Sequence, residues 1–165
     1  MKRSFAAALA AGAVLVAGTP ALAQSAAAPS FGPHGYGAVK LGMTAKQAKA
    51  TGKITHKLGD SASPCTGWDL KTHPTGKDSV GLYLSKRRGV AVVFAARGMK
   101  TREGIGLGAT MTQIKKAYPN VTSPADTNPR VAVPGNSRAY YEFMLDAQGR
   151  LQEMALGLKT QDCVS

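Results

Sequence analysis

The stretch LGMTAKQAK at residues 41–49 recurs without a gap as LGATMTQIK at residues 107–115. Leucine, glycine, threonine, glutamine and lysine occupy matching positions in the two copies. The threonine and glutamine of each copy have the spacing of a capping box, in which each side chain binds the backbone amide of the other residue at a helix start. The recurring stretch therefore predicts two short helices, each opened by the same cap.

Strand-like segments follow each predicted helix. In the first half, residues 79–84 and 90–95 flank a polar turn, as in a β-hairpin. In the second half, residues 138–145 and 150–158 flank another turn, and apolar side chains alternate along both segments. The sequence therefore predicts an α+β fold made of two tandem copies of a short capped helix followed by an antiparallel β-hairpin or sheet.

Three other segments complete this prediction. Residues 65–71 form a further candidate strand, and residues 122–135, rich in proline and asparagine, are expected to be a long connection. Gly52 is suited to end the first helix because glycine readily adopts the left-handed conformation of a C-terminal cap. Pro119 is expected to end the second helix, because the residue before a proline is disfavoured in a helix.

Residues 1–23 have the pattern of a cleavable secretory signal peptide. Lys2 and Arg3 precede an apolar stretch, and the small residues of ALA at 21–23 are typical of a signal peptidase site. The alternative is a transmembrane anchor, which needs about 20 apolar residues. This apolar stretch is shorter and is followed by a cleavage site, which favours export.

After the signal peptide we expect a flexible leader at residues 24–33, a first helix-plus-sheet repeat at 34–100 and a second at 101–165. The leader consists mainly of alanine, serine, proline and glycine, so it has little to bury. Cleavage would leave 142 of the 165 residues, enough for one ordinary domain or two very small ones. We expect no transmembrane segment in this part of the chain.

The chain is strongly basic. Its formal net charge of +12 becomes +10 when Lys2 and Arg3 are removed. Such a charge favours anionic wall polymers, lipid head groups or acidic proteins, and we do not expect nucleic acid to be the intended partner of an exported protein. Lys86, Arg87 and Arg88 form a consecutive triplet and are candidate partner contacts. The alternative is that the charge serves only solubility.

Two cysteines, Cys65 and Cys163, follow the signal peptide. In an oxidising compartment they are expected to form one disulfide; the alternative is a catalytic or metal-binding thiol. Trp68 lies close to Cys65 in the sequence. It is expected either to pack over the disulfide as part of the core or to be an exposed anchor for a partner or ligand.

Few residues suggest catalysis. His73 could be combined with Asp69 or Asp78 and a serine into a catalytic triad, but the chain has no Gly-x-Ser-x-Gly motif. The glycine-rich residues 104–108 lack the ending of a phosphate-binding P-loop. The three histidines do not have the spacing of a local metal site. We therefore predict no catalytic residue, cofactor or metal.

Residues 41–47, LGMTAKQ, resemble the helix start of the β-lactamase inhibitory proteins, which are exported actinobacterial proteins made of two tandem helix-plus-sheet units. The unit is also similar to that of outer-membrane assembly lipoproteins of the SmpA/OmlA type. The chain departs from the inhibitory proteins in two respects. Their disulfides lie within each unit, and their inhibitory face is rich in aromatic residues, which are sparse here. No inhibitory contact residue can be transferred by position.

These observations predict an exported, non-catalytic binding protein for another protein or for an anionic component of the cell envelope. The resemblance implies a narrower alternative, an inhibitor of an extracellular enzyme such as a β-lactamase. A third hypothesis is a small secreted hydrolase whose site is assembled from residues distant in sequence.

Overall fold

The computed structural model describes residues 30–125 and 127–164. The predicted signal peptide and residues 24–29 of the expected leader lie outside the described residues. Within the described ranges, no helix has the length and apolar character needed to cross a membrane.

Both predicted helices are present, and both are short. Helix α1 is Ala45–Ala50 and helix α2 is Met111–Ala117. The capping boxes are confirmed: the Thr44 hydroxyl accepts a hydrogen bond from the Gln47 amide at 3.3 Å, and the second box has the same geometry. Gly52 follows α1 with a φ of +65°, as expected of a C-terminal cap.

The described chain contains two antiparallel sheets. A small three-stranded sheet has the order β1-β2-β3, and a seven-stranded sheet has the order β4-β5-β6-β7-β10-β9-β8. The small sheet contains β1 (Phe31–Gly32), β2 (Gly35–Tyr36) and β3 (Val39–Lys40). The large sheet contains β4 (Ile54–Leu58), β5 (Cys65–Leu70), β6 (Leu82–Ser85), β7 (Gly89–Phe94), β8 (Arg130–Val133), β9 (Asn136–Leu145) and β10 (Leu151–Leu158).

The predicted α+β fold of two helix-plus-hairpin repeats is wrong, because the described chain is mostly β. Strand β7 pairs with β10, with Val93 opposite Leu156, so strands from both halves form one continuous sheet. Strand β8 arises within residues 122–135, which were expected to be a connection. Its side chains alternate between exposed and buried positions. Strand β8 pairs with β9, and this pairing satisfies backbone groups that a loop would leave to water.

The predicted hairpins are confirmed within this sheet. Strands β6 and β7 pair around the turn after Ser85, and β9 pairs with β10 around the turn at residues 146–149. The candidate strand at 65–71 corresponds to β5. Local patterning therefore identified these strands correctly, although it did not show how the two halves join.

The core lies between one face of the large sheet and a layer made of the helices and the small sheet. Ile114 of α2 and Phe143 of β9 are fully buried there. Phe31, in the part of the expected leader that the structure describes, is also fully buried, and its carbonyl accepts a hydrogen bond from the Tyr141 hydroxyl at 3.0 Å. Burying a phenylalanine side chain stabilises a fold by about 1.5–3 kcal/mol, so residues 30–33 are part of the packed structure.

Candidate functional site

Cys65 and Cys163 form a disulfide, as predicted. Their Cα atoms lie 5.7 Å apart, and 98 positions separate them in the sequence. In the chain-entropy account, closing a loop of this length stabilises the fold by roughly 4–5 kcal/mol. Cys65 begins β5 and Cys163 lies beyond the end of β10, so the disulfide fastens the C-terminal segment to the large sheet.

Trp68 is a core residue that lines a groove, with 9% of its surface exposed. Its indole N–H donates to the Thr66 hydroxyl at 2.8 Å, and the Lys49 ammonium lies 5.2 Å from the centre of its ring. Side chains three residues apart in a strand point to opposite faces of the sheet, so Trp68 does not pack over Cys65. The expectation of a core residue is met, but on the face opposite the disulfide.

The basic triplet lies in the turn between β6 and β7, and its three side chains have different contacts. Lys86 donates to the Ala62 carbonyl at 2.7 Å. Arg87 forms an ion pair with Asp162 at 2.9 Å. Arg88 forms no ion pair with any residue that the structure describes. The triplet is therefore not one continuous contact surface, and Arg88 is its least committed charge.

A groove with a volume of about 460 Å³ collects cationic side chains beside this turn. We call it the basic groove. Arg87 and Arg88 from the turn face Arg138 of β9 and Lys159, which follows β10. The rest of its lining is neutral: Leu41, Gly42, Ser137, Leu158 and Thr160. No carboxylate belongs to this lining, so the described residues of the groove present up to four positive charges.

Backbone contacts hold the two walls of the basic groove. The Lys159 amide donates to the Arg138 carbonyl at 2.9 Å, which sets these two cations side by side. On the other wall, Gly89 has a φ of +71°, and a Cβ atom there would overlap the Met43 carbonyl. Only glycine lets the turn with the basic triplet approach the segment before α1 this closely.

Asp162 does not line the basic groove but pairs with Arg87, which does, and its ionisation is favoured. Hydrogen bonds from Ser85 and Arg87 lower the pKa of the Asp162 carboxyl, and the nearby charge of Arg88 contributes as well. Asp162 therefore remains a carboxylate at neutral pH and partly neutralises the arginine wall. Arg138 and Lys159 have no ion-pair partner among the residues of known placement.

A second groove of about 490 Å³ follows the basic groove along the chain. Lys40, Arg102 and His34 line it together with several glycines. The Asn136 side-chain amide donates to the Pro33 carbonyl at 2.7 Å and so holds the two sides together. Lys40 directly precedes a residue of the basic groove, so positive charge extends from one groove into the next.

His73 and Asp69, two of the residues considered for a catalytic triad, each form hydrogen bonds with other groups. His73 Nδ1 lies 2.9 Å from the Thr72 hydroxyl, and within the described ranges no hydrogen bond joins His73 to a carboxylate. Burial raises the pKa of Asp69, but hydrogen bonds from Thr75, Lys57 and the Gly81 amide outweigh it and lower the pKa overall. Asp69 is thus engaged in holding the chain between β5 and β6.

The glycine-rich residues 104–108 form a turn into α2. Gly104 and Gly108 have φ values of +86° and +88°. The Gly108 amide donates to the Leu151 carbonyl at 2.8 Å, so this amide is already engaged. These glycines therefore serve the turn that leads into α2.

No protein-family model matches this chain, and no curated protein or solved structure matches it either.

Sequence reasoning identified Arg87 and Arg88 but not Arg138 and Lys159. These two lie at the ends of predicted strands, far from the triplet in sequence. The pairing of β9 with β10 brings Arg138 and Lys159 together, and the pairing of β10 with β7 brings them to the triplet. The one signal in the sequence was their position at strand ends, where basic side chains are common for other reasons.

Proposed function

We propose that this protein is an exported, non-catalytic binding protein that holds an anionic component of the cell envelope in the basic groove. The observation that carries this proposal is the lining of four cationic side chains without a carboxylate among the described lining residues. Like charges held close together repel one another, and an anionic ligand relieves that repulsion. The charge that the second groove adds extends the same surface.

The lining chemistry favours a charge-repeating polymer over a protein partner. No phenylalanine, tyrosine or tryptophan is among the described lining residues of the basic groove or of the second groove. Aromatic residues and arginine dominate tight protein interfaces, and here only arginine is present. The planar guanidinium group of arginine binds the oxygen atoms of phosphate or carboxylate in pairs.

Export is part of the proposal and is supported by two features. Residues 1–23 have the pattern of a signal peptide, and disulfides such as Cys65–Cys163 persist mainly in oxidising compartments. N-terminal sequencing of the protein from the culture medium should give Gln24 as the first residue. A chain that keeps its first 23 residues inside the cell would contradict this part of the proposal.

The absence of catalysis is likewise proposed. The hydrogen bonds of His73 and Asp69 support it, because His73 contacts the neighbouring Thr72 hydroxyl and Asp69 is engaged by Lys57, Thr75 and the Gly81 amide. An imidazole without a carboxylate partner is poorly oriented to act as a general base.

The test compares binding of poly(glycerol phosphate) with binding of neutral dextran. The variant R88Q/R138Q removes two charges from the basic groove, and K115Q/K116Q removes two exposed charges from α2 as a matched control. We expect the wild-type protein to bind only the polyanion. We expect R88Q/R138Q to weaken binding by roughly 10- to 30-fold, since each basic residue near an anionic surface contributes about 1 kcal/mol.

Two results would overturn the proposal. One is equal binding of the polyanion and of dextran. The other is an equal loss of affinity in R88Q/R138Q and K115Q/K116Q, which would mean that net charge alone attracts the polymer.

A further inference from the structure

A third groove lies between α1 and the loop that joins β4 to β5, and Lys86 of its lining directly precedes Arg87 of the basic groove. It has a volume of about 420 Å³, which lies within the roughly 300–1,000 Å³ typical of small-ligand sites. Trp68 and Leu84 form its floor and Ala45 of α1 forms one wall. We call it the tryptophan groove.

The floor of the tryptophan groove is apolar. Trp68 and Leu84 belong to adjacent strands, in which Thr66 lies opposite Leu84, and both side chains are part of the main core cluster. The indole N–H, the one polar group of the Trp68 side chain, is already bound to the Thr66 hydroxyl. The indole ring therefore brings no unsatisfied donor to the groove, and His56, which also lines it, packs edge-on against the ring with the centroids 4.9 Å apart.

The rim of the groove is positively charged. Lys49 lies over the Trp68 ring and forms no ion pair with the residues that the structure describes. Lys86 is also on the rim, where its ammonium group holds the Ala62 carbonyl. Lys49, held in a cation–π contact with Trp68, is therefore the rim cation whose charge no described carboxylate pairs with.

The one acidic residue on the rim does not neutralise Lys49. The Asp60 carboxylate accepts hydrogen bonds from the Ala62 amide, the Ser63 amide and the Ser63 hydroxyl at 2.9–3.0 Å. Hydrogen bonds, led by that of the Ser63 side chain, lower the pKa of Asp60. These hydrogen bonds close the loop at the mouth of the groove, and Asp60 forms no ion pair with Lys49.

We propose that the tryptophan groove binds a small amphipathic anion, with its apolar body on Trp68 and Leu84 and its anionic head at the Lys49 ammonium. An apolar floor beside an unpaired cation matches this chemistry better than it matches a polymer of repeated charges. The tryptophan groove shares no lining residue with the basic groove or with the second groove. It therefore stands or falls separately from the binding of a polyanion.

Trp68 provides the readout because it is the only tryptophan of the chain. Decanoate is titrated into the protein up to about 1 mM, the weak end of specific binding, and the emission of Trp68 is followed. Decanol, which has the same chain and no charge, is the matched ligand. The variant K49Q removes the rim cation, and K46Q removes an exposed charge of the same helix that does not line the groove.

We expect a saturable change in emission with decanoate and binding of decanol that is about two- to fivefold weaker, the range of one partly exposed ion pair. In K49Q this preference for the carboxylate should disappear, whereas K46Q should keep it. Absence of a saturable change with decanoate would overturn the proposal. So would a preference for decanoate that survives in K49Q or is lost in K46Q.

Discussion

Arg87 and Asp162 form an ion pair in which a guanidinium nitrogen lies 2.9 Å from a carboxylate oxygen. Asp162 directly precedes Cys163, which the disulfide ties to β5. The disulfide therefore also holds the acidic residue that neutralises one arginine of the basic groove. This arrangement couples the stability of the C-terminal segment to the charge of the groove.

Removal of Asp162 should strengthen the binding of a polyanion. In D162N, Arg87 loses its partner and the negative charge beside Arg88 disappears. We expect the affinity for poly(glycerol phosphate) to rise about two- to fivefold, the range of an exposed ion pair. The variant D78N removes an exposed acid that lines neither the basic groove nor the second groove. It should have little effect at physiological salt, where screening acts over about 8 Å; an equal rise in D78N would refute the role of Asp162.

Loss of the disulfide should lower the free energy of unfolding substantially. For the variant C65S/C163S we expect a loss of about 2–5 kcal/mol, because the unfolded chain regains the entropy of a long loop. Urea unfolding of the variant and the wild-type protein measures this difference. The denatured wild-type protein should contain no free thiol, and detection of two free thiols would contradict the pairing.

Asp69 should make stability depend on acid pH. Its pKa is lowered below the ordinary value of 3.8 in the folded protein, so the unfolded state binds a proton more readily than the folded state. The stabilisation is therefore present above about pH 4 and is lost as the pH falls through 3.8 towards the lower folded pKa.

The variant D69N tests this dependence by urea unfolding at pH 7 and pH 3. At pH 7 we expect it to be less stable than the wild-type protein by roughly 1–3 kcal/mol, since Lys57 and the Gly81 amide lose a charged acceptor. At pH 3 the difference should shrink. A difference that is the same at both pH values would show that the charge of Asp69 is not the cause.

The capping box of α2 should contribute measurably to stability. Replacement of Thr110 by alanine removes the hydroxyl that accepts from the Gln113 amide, and we expect a loss of about 1 kcal/mol. Thr112, exposed inside the same helix, is the matched control. The variant T112A should be neutral or slightly stabilising, because alanine is the better helix former. Equal melting temperatures for T110A and T112A would be evidence against the cap.

Local patterns made much of the secondary structure predictable. The capping boxes depend on two residues three positions apart, and the hairpins depend on alternation around a polar turn. The disulfide followed from a single pair of cysteines. All of these signals lie within short segments or involve a unique pair of residues, so they can be read without knowledge of the tertiary structure.

The joining of the halves could not be predicted in this way. The pairing of β7 with β10 depends on contacts between Val93 and Leu156, and nothing local distinguishes a strand that joins two halves from one at an edge. Strand β8 was missed because the prolines around it indicated a loop. The basic groove could not be predicted from local patterns either, because Arg138 and Lys159 meet the triplet only in the folded sheet. The inhibitor suggested by the resemblance stays a prediction.

The dependence of polyanion binding on salt tests the basic groove most directly. The affinity for poly(glycerol phosphate) should fall linearly with salt on a double logarithmic plot, with a slope of about 0.7–0.9 for each cation engaged. We predict that R88Q/R138Q lowers the steepness of this slope by about 1.4–1.8 relative to K115Q/K116Q. Identical slopes for the two variants would contradict the assignment of the anion to this groove.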